Sequence, residues 1–380
     1  MLHKSKQIFL FFCFVLLELF SLALRAQTQI PQIVCQLPAA LQESSGLISL
    51  NAGATFWTHN DSGGKSLLYE IDSNCQILRT IHVSGVTSVD WEEIALDDSG
   101  NVYIGDFGNN DNNRKDLVIY RIPEFDKLNA DSISAERIEF SYINQFDFPP
   151  SSEYRNFDME AFIWLHGKLY LFSKNRTSPF SGYTYLHLLP DRAGSYQTQL
   201  VDSFYTGSGL MQQFWITGAA INEKKDQLFL LSYDKAWLFY PLDTQNLFRS
   251  PVRQLQFPSI TQKEGVTFGN ASFVWMTDEY FSTFRNGGTL LKLNLDRLLS
   301  LNNNFSHQKI QLFPVPADDF ILISGENIQS VLIQNFYGQT VMEIDHPELQ
   351  NIPVSHLPSG TYLARIVTTD GSETLPWIKK

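Results

Sequence analysis

Cysteine and positive charge are both scarce in this chain. Only three cysteines occur in 380 residues, and Cys13 lies in an apolar leader, which leaves Cys35 and Cys75. Two cysteines cannot make a disulfide framework, so the fold must rest on a hydrophobic core. Whether these two pair or stay as isolated thiols is open at this level. Lysine and arginine number 28 against 40 aspartates and glutamates, a net charge of −12. That deficit argues against nucleic acid or an anionic membrane surface as partner. It suits a soluble exported protein that attracts cations. Beyond the leader no apolar run reaches membrane-spanning length, so the mature chain is expected to have no transmembrane segment. His-Glu-x-x-His and Gly-x-Ser-x-Gly are both missing. Ser62-Gly63-Gly64-Lys65-Ser66 fails as a phosphate loop, because His59 stands where the first glycine belongs and no helix follows.

The leader itself has a clear pattern. Lys4 and Lys6 precede the apolar run from Ile8 to Ala23, and Leu24-Arg25-Ala26 ends in a small residue. Residues 1–26 therefore read as a secretory signal peptide cleaved after Ala26. Without it the chain has 25 basic and 39 acidic residues, a net charge of −14.

What the chain does have is a repeat. Glu43-Ser44-Ser45-Gly46-Leu47, Asp90-Trp91-Glu92-Glu93-Ile94 and Asp158-Met159-Glu160-Ala161-Phe162 align with Trp215-Ile216-Thr217-Gly218-Ala219 and Gln262-Lys263-Glu264-Gly265-Val266. Their third residues form the column Ser45, Glu92, Glu160, Thr217 and Glu264, at steps of 47, 68, 57 and 47 residues. These steps are near the spacing of propeller blades, with loops enlarging two of them. Each segment runs into an alternating strand, a turn such as Asp98-Ser99-Gly100, and a second strand such as Asn101 to Ile104. Third strands follow in all five repeats and fourth strands in four of them. The fifth lacks its last strand, and Gln32 to Leu37 is a spare one that closes the ring and removes open edges. The expectation is an all-β fold, with a five-bladed β-propeller over residues 27–300.

Propeller geometry places the five column residues at one mouth of a narrow axis. Three carboxylates converging there repel one another unless a cation lies between them. Carboxylate and hydroxyl oxygens suit a hard cation, and Ca2+ takes six to eight of them. No Cys or His enters the column, which argues against zinc. The expected metal ligands are thus Ser45, Glu92, Glu160, Thr217 and Glu264, with backbone-amide capping as the structural alternative. Glu93, on the other side of the strand from Glu92, is expected to be a polar or capping residue. The same face collects the second-strand exits, so His59, Asp61, Asp106, Lys174, Arg176 and Asp278 are the candidates for an unknown ligand at the channel mouth. The tryptophans in or beside strands are read as core.

These segments resemble the SdiA-regulated family of five-bladed bacterial propellers, in which the blades open Ser-Gly-Leu, Asp-x-Glu, Glu-Gly-apolar, Ser-Gly-Ala and Glu-Gly-Val. Ile216-Thr217-Gly218-Ala219-Ala220-Ile221-Asn222 is especially close, with Thr217 in place of Ser, and Ala161 follows Glu160 in place of Gly. More distantly the Ser/Glu/Glu/Ser/Glu order is similar to the calcium-dependent apyrases. That likeness implies an axial calcium and does not carry nucleotidase activity over.

Residues 301–308 read as a polar linker, and residues 309–380 as a small Ig-like β-sandwich of short strands with Pro and Gly punctuation. Leu312-Phe313-Pro314-Val315-Pro316-Ala317, Tyr337-Gly338-Gln339-Thr340-Val341, Leu357-Pro358-Ser359-Gly360-Thr361-Tyr362 and the basic end Lys379-Lys380 resemble the C-terminal sorting domain of the type IX secretion system of Bacteroidetes. The resemblance implies handling by that machinery and a secreted or outer-surface location reached through the periplasm. The expected function is a binding or scaffold module with an axial calcium. The alternative is a calcium-dependent phosphoester or ester hydrolase using His59, Asp61, Asp106, Lys174 and Arg176.

Overall fold

Along Leu228–Leu231 every residue is apolar, and every one is buried. Leu228 and Leu230 pack into one core, with Ala161 and Phe172, while Phe229 and Leu231 pack into another, with Val266 and Val274. Successive side chains of a strand point to opposite faces, so a strand with no polar face must be covered on both sides. That condition repeats around the chain and builds its architecture. The computed structural model describes residues 27–283, 286–300, 311–313, 316–324, 328–335, 339–345, 351–368 and 371–380. Residues 1–26, expected to be a signal peptide, and 301–308, expected to be a linker, lie outside the described residues.

Five sheets form the first of two compact units. Blade one comprises Ser44–Ile48, Thr55–Asn60, Leu67–Asp72 and Ile77–Ser84, and blade two comprises Trp91–Leu96, Val102–Asp106, Val118–Ile122 and Glu136–Ser141. Blade three is built from Asp158–Leu165, Lys168–Lys174, Tyr183–Pro190 and Gln199–Tyr205. Blade four has Gly218–Ile221, Leu228–Leu231, Lys235–Phe239 and Val252–Gln256. Blade five has Lys263–Asn270, Phe273–Asp278 and Thr289–Asn294, and its fourth strand is Gln32–Gln36, paired antiparallel with Thr289–Asn294. The inner strands neighbour one another in order, and that of blade five returns to that of blade one. The protein is an all-β five-bladed propeller. Five separate hydrophobic clusters fill the spaces between consecutive blades, including the one between five and one.

Two features of the ring were not anticipated from the repeat. Three blades carry a fifth, parallel strand at the outer edge: Ser132–Ser134 on blade one, Gly194–Gln197 on blade two, and Gln27–Thr28 on blade four. The first two are lent by the following blade, so each covers its neighbour's unpaired backbone groups. Cys35 and Cys75 form a disulfide, with Cα atoms 6.0 Å apart, joining the ring-closing strand to blade one.

In blade three His187 is fully buried, its Nδ1 2.9 Å from Thr198 Oγ1 and its ring 5.2 Å from that of Tyr142. Burial holds the imidazole neutral and lowers its pKa to about 4. Because the unfolded chain binds this proton near pH 6.5, the contribution to stability is complete above that pH and is lost as pH falls toward 4. Urea unfolding should show the stability gap between wild type and His187→Phe shrinking by about 2–3 kcal/mol from pH 7.5 to pH 4.5. A gap independent of pH would rule this assignment out.

The second unit contains a three-stranded sheet (Gln311–Phe313, Phe320–Ser324, Asn351–Pro353) and a four-stranded sheet (Ile328–Asn335, Thr340–Asp345, Gly360–Thr368, Gly371–Lys379). Ile321, Ile323, Val331, Ile333, Ala364, Ile366 and Trp377 fill the core between them, and Tyr362 stacks on Trp377 at 5.1 Å. It is a small β-sandwich.

Candidate metal centre at the polar mouth

Near their starts, the inner strands of blades one, two, three and five break register with their partners. The shifts lie at Ser44/Leu47, Trp91/Glu93, Met159/Ala161 and Lys263/Val266. A bulge lets two consecutive residues oppose one and re-aims their side chains. In a five-bladed ring this happens where the strands crowd most. A Cβ on Gly46 would lie 2.7 Å from Ile94 N and 2.8 Å from His59 Nε2, and one on Gly218 would collide with the Glu264 carbonyl. Glycine after the column residue is therefore a requirement of space in blades one, four and five.

Blade two has Glu93 at that position instead, and Glu93 uses the room that glycine leaves. It is fully buried, and its carboxylate accepts from Ala219 N of blade four and Ile94 N, each at 3.0 Å. Burial pushes its pKa well above the usual carboxylate range. Glu93 thus caps backbone amides as expected, but the expectation that it lies on the other side of the strand from Glu92 is corrected, because the bulge turns both inward. Glu93 sits where the polar ring gives way to an apolar one of Leu47, Ile94, Phe162, Ala219 and Val266. That ring lines a cavity of about 950 Å3 open toward the turn face.

Of the column, Glu92, Glu160 and Glu264 are buried, and Glu264 lies near enough to both Glu92 and Glu160 to raise their proton affinity. Burial is the larger cause for Glu92 and Glu160, and both lie well above the usual range. The two hydroxyls turn to the backbone: Ser45 Oγ donates to Glu92 O at 2.5 Å and Thr217 Oγ1 to Lys263 O at 2.6 Å. Each ties its inner strand to the next blade's and keeps lone pairs free. Glu160 is ion-paired with Lys174. Burial works against the Lys174 ammonium, but Glu160, with Tyr233 and Glu264, outweighs it and raises its pKa well above the usual value. Arg176 pairs with Asp158 at 2.6 Å, reaches Glu160 at 3.5 Å, and lies 4.7 Å over Trp215.

The structure brings Asp61 of the proposed ligand face into the carboxylate cluster, along with two residues that the repeat did not single out. Asp61, Asp90 and Glu92 each offer an oxygen within 4.8 Å of the others, and so do Asp61, Glu264 and Glu279. Burial, then Glu264 and Asp90, pushes Asp61 up to about 8; burial and Glu264 push Glu279 up to about 11. Glu264 Oε2 has no hydrogen-bond partner although the side chain is buried. Asp90 and Glu279 each adjoin a residue or segment that sequence reasoning had marked. Only the bulge and the loop after Asp278 decide that they face inward.

The other face candidates serve the frame. His59 is fully buried, its Nδ1 donating to Asn60 O at 3.0 Å and its ring edge-on to Trp91, and burial lowers its pKa to about 4. Asp106 accepts from Val89 N, Asp90 N and Arg114, fixing the loop that presents Asp90. Asp278 accepts from Thr289 N and Oγ1, each at 2.7 Å.

Residues 311–380 match the family described as a secretion system C-terminal sorting domain. The chain therefore carries the sorting domain of type IX secretion and is an exported protein, secreted or displayed on the outer cell surface. Among the described residues no helix is long and apolar enough to cross a membrane. No curated protein is matched by this sequence. Solved structures match this chain at low identity. PorZ, a surface component of the type IX secretion system of Porphyromonas gingivalis, is 9% identical with a TM-score of 0.31; the match covers 89% of this chain and 45% of that one. The PQQ-bound aldose sugar dehydrogenase of Streptomyces coelicolor is 12% identical over 70% of this chain and 97% of that one, with a TM-score of 0.41. A gluconolactonase of Xanthomonas campestris is 12% identical over 71% and 87%, with a TM-score of 0.35. At this level of similarity no activity carries over to this chain.

Proposed function

We propose that this exported propeller is a binding or scaffold module of the SdiA-regulated type, and that a calcium ion at its polar mouth keeps the five blades in register. The observation that carries the reading is the buried Glu264 carboxylate, whose Oε2 has no hydrogen-bond partner and which lies among the carboxylates of Asp61 and Glu279. The donor set supports a hard cation, since it consists of oxygens with no Cys or His. Ligand atoms up to 4.8 Å apart fit around one ion with Ca–O distances of about 2.4 Å. Glu264 would hold the ion with Asp61 and Glu279. Lys174 would neutralise Glu160 rather than compete for the same oxygens. Bound calcium would supply the positive charge that lets these acids ionise while buried.

Saturating calcium, at about 100 times Kd, should stabilise the fold by about 2.7 kcal/mol, or roughly 5–10 °C in melting temperature. The shift should vanish with chelator and in Glu92→Gln/Glu264→Gln. Equal melting temperatures with and without calcium would remove the ion from this reading. Calcium-dependent turnover of phosphate esters would overturn the binding-module assignment. The hydrolase alternative loses its base, because His59 is enclosed and faces Gly46 and Trp91.

A further inference from the structure

Seven carboxylates gather at the mouth, but the three basic side chains there are already committed, Arg114, beside Asp90, to Asp106 and Asp116. Arg176 pairs with Asp158, and Lys174 with Glu160. Asp61, Asp90, Glu92, Glu264 and Glu279 remain, and none of these five forms an ion pair with lysine or arginine among the described residues. They fall into two triads that share one member, Asp61. The backbone closes in on the first triad from above. A Cβ on Gly108 would collide with both Glu92 and Asp90, so the loop after blade two's second strand lies directly against this pair. In the second triad the buried Glu264 directs an oxygen without a hydrogen-bond partner, and so does Glu279 through Oε1.

We propose that the mouth holds two divalent cations bridged by Asp61, one between Asp90 and Glu92 and the other between Glu264 and Glu279. The inference rests on the calcium reading above and adds a second ion with its ligands. Geometry decides between one ion and two. Oxygens of Asp90 and Glu92 lie within 4.8 Å of one another and of Asp61, and so do those of Glu264 and Glu279, but the two pairs are joined only through Asp61, so one ion does not reach all five. A bridging carboxylate is the usual way for two such ions to lie about 4 Å apart. The two triads draw on blades one, two and five, so the pair would clamp the ring where its first and last blades meet. Blades three and four contribute Lys174, Trp215 and Tyr233 beside it, with the Lys174 ammonium 4.9 Å from the Trp215 ring.

Calcium titrated into the full mature chain, with stoichiometry read by calorimetry and native mass spectrometry, separates the cases. Two ions per chain are expected for wild type. Glu279→Gln should retain one, and Asp61→Asn should weaken both at least tenfold. One ion in wild type, lost in Glu92→Gln/Glu264→Gln, would overturn the second site and leave the single-ion reading standing. No bound ion would overturn both. Because the wild-type count is itself decisive, a variant that fails to fold does not remove the test.

Discussion

Serine at both Cys35 and Cys75 should lower the stability of the propeller by about 4 kcal/mol under oxidising conditions. The bridge spans a sequence separation of 40 residues, and a cross-link over a loop of that size restricts the unfolded chain by about this amount. Its position enlarges the consequence. Gln32–Gln36 is the strand that converts an open row of blades into a ring, since it lends blade five its outer edge from the other end of the domain. Leu37 and Leu41 follow it into the cluster between blades five and one, together with Cys75. The disulfide anchors that strand to blade one, so its loss should raise the rate at which the ring opens. Urea unfolding of the double variant beside wild type, with and without reductant, measures the effect. A midpoint change worth less than about 1 kcal/mol, from the urea slope, would mean that strand pairing and the apolar cluster close the ring unaided.

Glu93→Ala should be comparably severe, at about 4 kcal/mol, whereas Glu93→Gln should cost about 1–2 kcal/mol. Alanine leaves the amides of Ala219 and Ile94 without acceptors at the centre of the axis, and opens space that the neighbouring glycines cannot fill. Glutamine keeps the shape and one acceptor oxygen. The acid's raised pKa means that a neutral side chain at this position is already close to the native state. Equal losses in the two variants would show that charge rather than shape matters there. A loss below 1 kcal/mol in Glu93→Ala would refute its role in bridging blades two and four.

Much of this was legible in the residues. Five aligned segments specify five blades, because inner strands that pack on two neighbours must be apolar on both faces, and a turn every dozen residues makes the sheets antiparallel. The spare strand Gln32–Gln36 followed from counting edges. The convergence of Glu92, Glu160 and Glu264 followed from their common position in the repeat. The parallel fifth strands did not, since Ser132–Ser134 and Gly194–Gln197 are short and polar and pair only because a neighbouring blade offers an edge. The inward turn of Glu93 was equally hidden, because alternation along a strand predicts the opposite face for the residue after Glu92, and a bulge cancels alternation.

The sequence alone thus determined the class of the fold, the export signal and the acidic character of one mouth. These are properties of repeat spacing, motif and composition, which survive without coordinates. Tertiary structure decided which acids face each other. It assigned Lys174 to Glu160, sent Ser45 and Thr217 to backbone carbonyls, enclosed His59, and added Asp61, Asp90 and Glu279 to the cluster. Those outcomes depend on bulges and loop closures a few ångströms across, formed only when five blades crowd around one axis. A linear pattern records which residue occupies a position, but the direction of its side chain there is set by the neighbours that the ring brings up.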